Sequence, residues 1–158
     1  MKRIENDPEL SLRLFVGGMH LRPEHGKTIE MIQADGFPIT EQVDMLTGSD
    51  SPLEVAQSIG RGVIGFAGAL SRSTPDILVV LGDRFEMYSA ALACLLLNIP
   101  VAHIHGGELT LGAIDDALRH SMTKLSHLHF VSTEAYARRV IQLGEEPRRV
   151  TVLGRAAG

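Results

Sequence analysis

Apolar and polar positions along the chain fall into two alternating kinds of segment. Short, nearly unbroken apolar runs recur at residues 12–16, 37–43, 76–81 (DILVVL), 99–104, 127–132 and 150–153. Each is of strand length and is bounded by Gly, Pro, Asp or Ser. Longer segments with helical signals lie between them. Residues 23–34 set Ile29, Met31 and Ile32 among charges and stop near Gly36. A polar loop at 47–50 leads to Ser51, which can cap a helix with Pro52 at its first position and Glu54 three residues after the cap; that helix runs toward Leu70. Helices are also predicted over 84–97 and 114–125, and from a Thr133 cap through Leu143, where Gly144 ends it. Continuous apolar strands alternating with helices mark the α/β class, a parallel sheet covered by helices on both faces. Such sheets bind ligands at the carboxyl ends of their strands. Three of those ends are polar here: Gly82-Asp83, the stretch HIHGGE from His103 to Glu108, and Ser132-Thr133.

Composition narrows the picture. The chain has 158 residues, room for one domain, with 44% hydrophobic and 22% charged residues. Aromatics are scarce and Trp is absent, so the core is aliphatic. A net charge of −4 argues against broad binding of nucleic acid or anionic membrane. The single cysteine, Cys94, sits in the apolar run ALACLLL and reads as a buried, inert thiol. The longest apolar stretch, residues 90–101, is broken by Asn98 and Pro100 and is too short to span a bilayer. No signal peptide is visible, and a cytoplasmic location is the expectation. The opening MKRIENDPELS reads as the tail of a helix leading into a strand, and the far end, LGRAAG, stops just past one. Together they suggest a fragment of a larger protein.

Several motifs carry candidate chemistry. Gly60, Gly62 and Gly65 match the GxGxxG spacing, but a dinucleotide site needs that motif between a strand and a helix start, and here it falls inside a predicted helix. Gly65 and Gly68 read instead as a small-residue face for close packing. HIHGGE admits three readings. His103 and His105, on one face of a strand, could bind a metal with Glu108 or Asp115. They could do acid/base work with Glu108, Asp115 and Asp116, while Gly106 and Gly107 let a ligand approach the backbone. Or His103 is a hydrogen-bonded core histidine. Asp83 either caps the next helix or acts as a base. Asp115 with Arg119, and Asp116 with His120, have the i,i+4 spacing of side-chain pairs. His127 and His129 alternate on a strand, one of them facing the core, with no ligand expected. Arg138, Arg139, Arg148 and Arg149 read as solvated faces.

Taken together, ILVVLGDRFEMYSAAL, IPVAHIHGGELTLGAIDDALRHSMTKLSHLHFVST, RVIQLGE and GMHLRPEHGKTIEMIQADGFPI resemble the UDP-N-acetylglucosamine 2-epimerase family, above all its hydrolysing branch, which begins sialic acid and related nonulosonic acid synthesis. The resemblance implies two Rossmann-like domains facing across a cleft, as in GT-B glycosyltransferases. Residues 1–158 would be one truncated Rossmann-like domain, without the family's first strand and second domain. It implies conversion of UDP-GlcNAc, or a related UDP-linked 2-acetamido sugar, to the free 2-epimer plus UDP. The C2 proton is removed, UDP leaves across C1–C2, and water adds back with inversion at C2. No redox cofactor is needed and no metal is essential. Carried over, Asp83 and Asp115 match two of the family's acid/base carboxylates. The third aligns with His105, with Glu108 three positions on, so either can take the middle role. His20, His103, Gly106, Gly107, Asp116 and Arg119 are the substrate-binding candidates. The full-length form is expected to be a homo-oligomer.

Two other readings compete. One is a metal-dependent hydrolase using His103 and His105. The other is a non-catalytic binding remnant that pairs with a partner. A fragment lacking its first strand should expose an unpaired sheet neighbour and be poorly soluble.

Overall fold

Every apolar run singled out above is a strand in the computed structural model, which describes residues 1–26, 28–110 and 114–154. The strands are β1 Leu14–Gly17, β2 Ile39–Val43, β3 Leu78–Leu81, β4 Val101–Ile104, β5 Leu128–Val131 and β6 Val150–Val152. The helices are α1 Lys2–Glu5, α2 Ile29–Ala34, α3 Pro52–Ser73, α4 Phe85–Leu96, α5 Ile114–Leu125 and α6 Glu134–Gln142. Short 3-10 turns cover Gly18–Leu21, Pro23–His25 and Pro147–Arg149. No helix among the described residues is long and apolar enough to cross a membrane.

The caps behave as expected. The Ser51 hydroxyl accepts the Glu54 N–H at the start of α3 and donates to the Glu54 carboxylate at 3.0 Å, while the Ser51 N–H goes to the Ser49 hydroxyl, so Ser51 caps the helix without closing the reciprocal capping box. Thr133 accepts the Tyr136 N–H at the start of α6. The helix expected over 23–34 is instead two pieces. Gly26, at φ +79°, takes the left-handed conformation that ends the Pro23–His25 turn, and the α-helix begins at Ile29. GxGxxG lies within α3, as expected, and its glycines serve packing. A Cβ on Gly62 would sit 2.8 Å from the Ser89 Cβ of α4, and one on Gly65 would sit 2.6 Å from Val43 of β2. Gly68, expected to share this role, meets only the end of the Arg72 side chain, so the close-packing pair is Gly62 and Gly65.

All strand pairs are parallel, but they form two sheets rather than the single sheet expected. β1 pairs with β2; β3, β4, β5 and β6 follow in order in the other sheet. Among the described residues β1 and β3 each have one unpaired edge. The main core packs β2, α3, α4 and α5 with β3 and β4 and is mostly aliphatic, with Phe66 and Phe85 among its members and Met45, Leu70, Ala91, Cys94, Val101 and Met122 fully buried. Burial pushes the Cys94 thiol up to about 12, consistent with an inert core residue. On β3, Val80 faces this core while Val79 and Leu81 are 53% and 59% exposed. An edge strand with two exposed apolar side chains is a template for self-pairing. The chain should therefore self-associate, and Val79→Lys with Leu81→Glu should suppress this while leaving the far-UV spectrum intact. Sedimentation velocity decides: a monodisperse parent chain at high concentration would remove the argument.

Parallel pairing has one consequence for function. The carboxyl ends of β3, β4, β5 and β6 lie along one edge of the sheet, and the polar residues that follow the first three share it.

Candidate active site

At the end of β3, Gly82 turns the chain at φ +85° and Asp83 follows. Asp83 does not cap α4. That helix starts at Phe85 with Arg84 as its N-cap and no side-chain cap bond. The Asp83 carboxylate instead accepts from Arg119 Nη2, on α5. Arg119 is buried, and the same nitrogen donates to the Thr110 hydroxyl at 3.0 Å. The expected Asp115–Arg119 pair is not formed; Arg119 is committed to the strand end. Asp116 does reach His120, at 3.7 Å, and its other oxygen accepts the Thr110 N–H at 3.0 Å. Thus Asp116 and Arg119, one turn apart, fasten the chain after HIHGGE onto α5. Asp115, in the first turn of α5, is half-buried. Residues 111–113, between Thr110 and α5, lie outside the described residues.

At the end of β4 the two histidines part company. His103 is fully buried, and its Nε2–H donates to the Gly82 carbonyl at 2.7 Å. Burial pushes its pKa down to about 4, and His129 and Arg119 push the same way; the Gly82 bond and Asp83 oppose them. It therefore stands neutral in the core and ties the ends of β3 and β4 together. His105 has φ +68°, and its side chain is 49% exposed. That left-handed turn breaks the strand alternation that would have kept it on the same face as His103. His105 Nδ1 lies 2.9 Å from Glu108 Oε1, and the Ser132 hydroxyl, at the end of β5, donates to the same oxygen at 3.1 Å. Among the described residues no three His, Cys, Asp or Glu side chains are placed to share a metal ion. The reading that joins His103 to His105 as metal ligands loses its geometry, because the His103 ring is held in the core on Gly82 while the left-handed turn at His105 carries that side chain to the surface.

Gly106 and Gly107 are both buried. A Cβ on Gly106 would press on the His103 ring at 3.2 Å; one on Gly107, at φ +76°, would meet the Tyr136 carbonyl at 2.5 Å. Their small size serves packing of the loop against β4 and α6. Arg139, expected on a solvated face, donates to the Gly107 carbonyl and stacks beside Tyr136. His20 lies in the turn after β1 and shares a 2.6 Å hydrogen bond with Thr28. The neighbouring Met19 sulfur touches Arg84, which is ion-paired to the buried Glu86 of α4. A Cβ on Gly18 would strike Glu86, so β1 approaches α4 through a glycine.

Sequence reasoning missed Ser132 as a partner of Glu108, Arg139 as a clamp, and Thr110 and Glu86 altogether. Only Ser132 had a usable signal, its place at a strand end. Of the remaining pair, His129 is buried with Nε2–H toward Glu145 at 3.2 Å, while His127 is exposed and accepts the Val101 N–H. Neither touches the strand-end cluster through a hydrogen bond.

This arrangement has known relatives. Over 154 residues the chain is 47% identical to the GDP/UDP-N,N'-diacetylbacillosamine 2-epimerase (hydrolyzing) of Campylobacter jejuni, covering 98% of this chain and 40% of that protein. It is 44% identical to the polysialic acid biosynthesis protein P7 of Escherichia coli, covering 96% of this chain and 39% of the relative. The chain thus spans about 40% of the length of these relatives. The crystal structure of UDP-GlcNAc 2-epimerase from Neisseria meningitidis, bound to UDP-GlcNAc, superimposes with a TM-score of 0.83 at 18% identity, over 96% of this chain and 40% of that one. A sequence model described as UDP-N-acetylglucosamine 2-epimerase matches residues 2–157, and the chain belongs to that family.

Proposed function

We propose that this chain is the catalytic wall of a hydrolysing 2-epimerase that acts on a UDP-linked 2-acetamido sugar and releases UDP and the free 2-epimer. The observation that carries the reading is the convergence of proton-handling groups on one sheet edge: Asp83 after β3, and His105 with Glu108 after β4. Asp115, at the start of α5, is the third group of the set. Inversion at C2 requires a proton taken from one face of the sugar and returned on the other. At least two such groups are needed, and the edge supplies them. Of the proteins named above, the Campylobacter jejuni relative is named for diacetylbacillosamine nucleotides and the Neisseria meningitidis structure for UDP-GlcNAc, which makes the 2-acetamido group their common substrate element.

In this reading the chain is one Rossmann-like domain of a two-domain, cytoplasmic, homo-oligomeric enzyme. A second domain holds the nucleotide across the cleft. An added strand between the free edges of β1 and β3 joins the two sheets into one. The share of the relatives that the chain spans and the unpaired edges of β1 and β3 support this reading. A cleft with one wall loses the effective concentration that makes its groups catalytic. The 158-residue chain alone should therefore turn over no UDP sugar.

The test is a graft. The chain replaces the matching residues of the Campylobacter jejuni relative, and UDP release is measured with UDP-GlcNAc and with UDP-N,N'-diacetylbacillosamine. Release from either sugar, with none from the isolated chain, is the expected result, and the preferred sugar names the substrate. A folded graft that releases no UDP from either would end the enzymatic reading and favour a binding remnant.

A further inference from the structure

We propose that His105 and Glu108 work as one proton-transfer unit, in which Nε2 of His105 meets the substrate and Glu108 is a positioning residue. The inference rests on the function proposed above and decides between two side chains that the sequence left equivalent. Three features of the molecule carry it.

The first is the hydrogen bonding. Glu108 Oε1 receives both His105 Nδ1–H and the Ser132 hydroxyl, so this oxygen is already engaged on the protein side. His105 Nε2 makes no hydrogen bond among the described residues, and half of the His105 side chain is open to solvent. An imidazole that donates from Nδ1 to a carboxylate presents a bare lone pair at Nε2. The second is the backbone. A histidine at φ +68° occupies a region that L side chains seldom adopt. It is kept there because the His105 N–H continues the sheet ladder to the Phe130 carbonyl at 2.9 Å. Strain held by the surrounding ladder is a feature of functional sites. Here it turns the ring out of the core that holds His103. The third is the support of the turn. Gly107, at φ +76° and clamped by Arg139 from α6, lets the chain reverse so that Glu108 comes back onto His105 three residues earlier.

The step is an elimination. The proton on sugar C2 passes to His105 Nε2. The C–H electron pair becomes the C1=C2 bond, and the C1–O pair leaves with UDP. Glu108 stabilises the imidazolium that forms, without touching the sugar.

Two measurements test it. In the intact chain at mildly alkaline pH, histidine 15N spectra should show His105 as the neutral Nδ1–H tautomer, and Glu108→Ala should move it toward the Nε2–H form. An Nε2–H tautomer in the parent chain would overturn the proposal, whatever the graft does. In the graft, His105→Gly suits the left-handed backbone and should fold. It should lose UDP release by at least ~100-fold, the scale of a general base, and recover part of it with added imidazole. Glu108→Ala should lower kcat while leaving KM unchanged. Loss in Glu108→Ala as deep as in His105→Gly, with no imidazole rescue of the latter, would make Glu108 the proton carrier instead. A graft that is inactive before any substitution defeats the functional reading, while the spectra still judge the pair.

Discussion

Lowering the pH from 7 toward 4 should remove about 3 kcal/mol of folding stability through His103 alone. Its folded pKa is about 4 against an ordinary 6.5, because burial disfavours the imidazolium. At ~1.4 kcal/mol per pH unit, that gap is worth about 3 kcal/mol. The sign follows from which state takes up the proton first. The folded pKa lies below the unfolded one, so the unfolded chain binds the proton as pH falls through 6.5. The contribution is whole above that value, declines between 6.5 and about 4, and is gone below. His129 adds in the same direction: its burial outweighs the opposing help of Glu145 and lowers its pKa too. Urea midpoints measured from pH 7 to pH 4.5 should fall steeply. His103→Gln keeps a donor for the Gly82 carbonyl but has nothing to titrate, so its midpoint should start lower and fall less. Equal slopes for the two proteins would show that His103 is not the buried titrating group.

The two buried histidines also show what the sequence could and could not convey. Strand positions, helix caps and the parallel class were legible because each depends on local periodicity or a single capping contact. Ser51, Thr133 and the run DILVVL needed no distant partner to be understood. His103 and His105 sit two residues apart in the same motif, and strand periodicity gives them one face. The structure separates them through one backbone angle, the +68° at His105, which is set by the ladder to β5 and by the Gly107 turn packed on α6. Nothing within HIHGGE encodes α6. Arg119 is the same kind of case. Its i,i+4 neighbour Asp115 is the local expectation, but the guanidinium goes to Asp83, 36 residues back, because β3 ends beside α5 in space. Arg139 looked like surface because its partner is a carbonyl, and carbonyls have no signature in a sequence. An unpaired sheet neighbour was expected from the resemblance, but that the break falls between β1 and β3 was not legible, since strand order is a property of pairing rather than of any one run.

Asp83 should prove to have two separable roles, and two substitutions should separate them. Arg119 is 6% exposed and donates to Asp83, which retains some solvent access of its own. Asp83→Ala strands the guanidinium where water cannot replace the lost partner, and breaking a buried pair in this way costs about 3–5 kcal/mol. Asp83→Asn keeps an acceptor oxygen for Arg119 Nη2 and loses only the charge, so it should cost about 1–3 kcal/mol, the scale of a charge-assisted bond reduced to a neutral one. Activity should sort the other way. In the graft with the Campylobacter jejuni relative, the Asn variant should fold yet release UDP ~10²- to 10⁴-fold more slowly, because an amide accepts no proton. Urea denaturation of the chain reads the first role and UDP release by the graft reads the second. If the Asn variant keeps the parent rate, Asp83 only holds Arg119 and Thr110 in place. If the Ala variant melts like the parent, Arg119 rehydrates on losing its partner, and the buried pair does not organise this edge of the sheet.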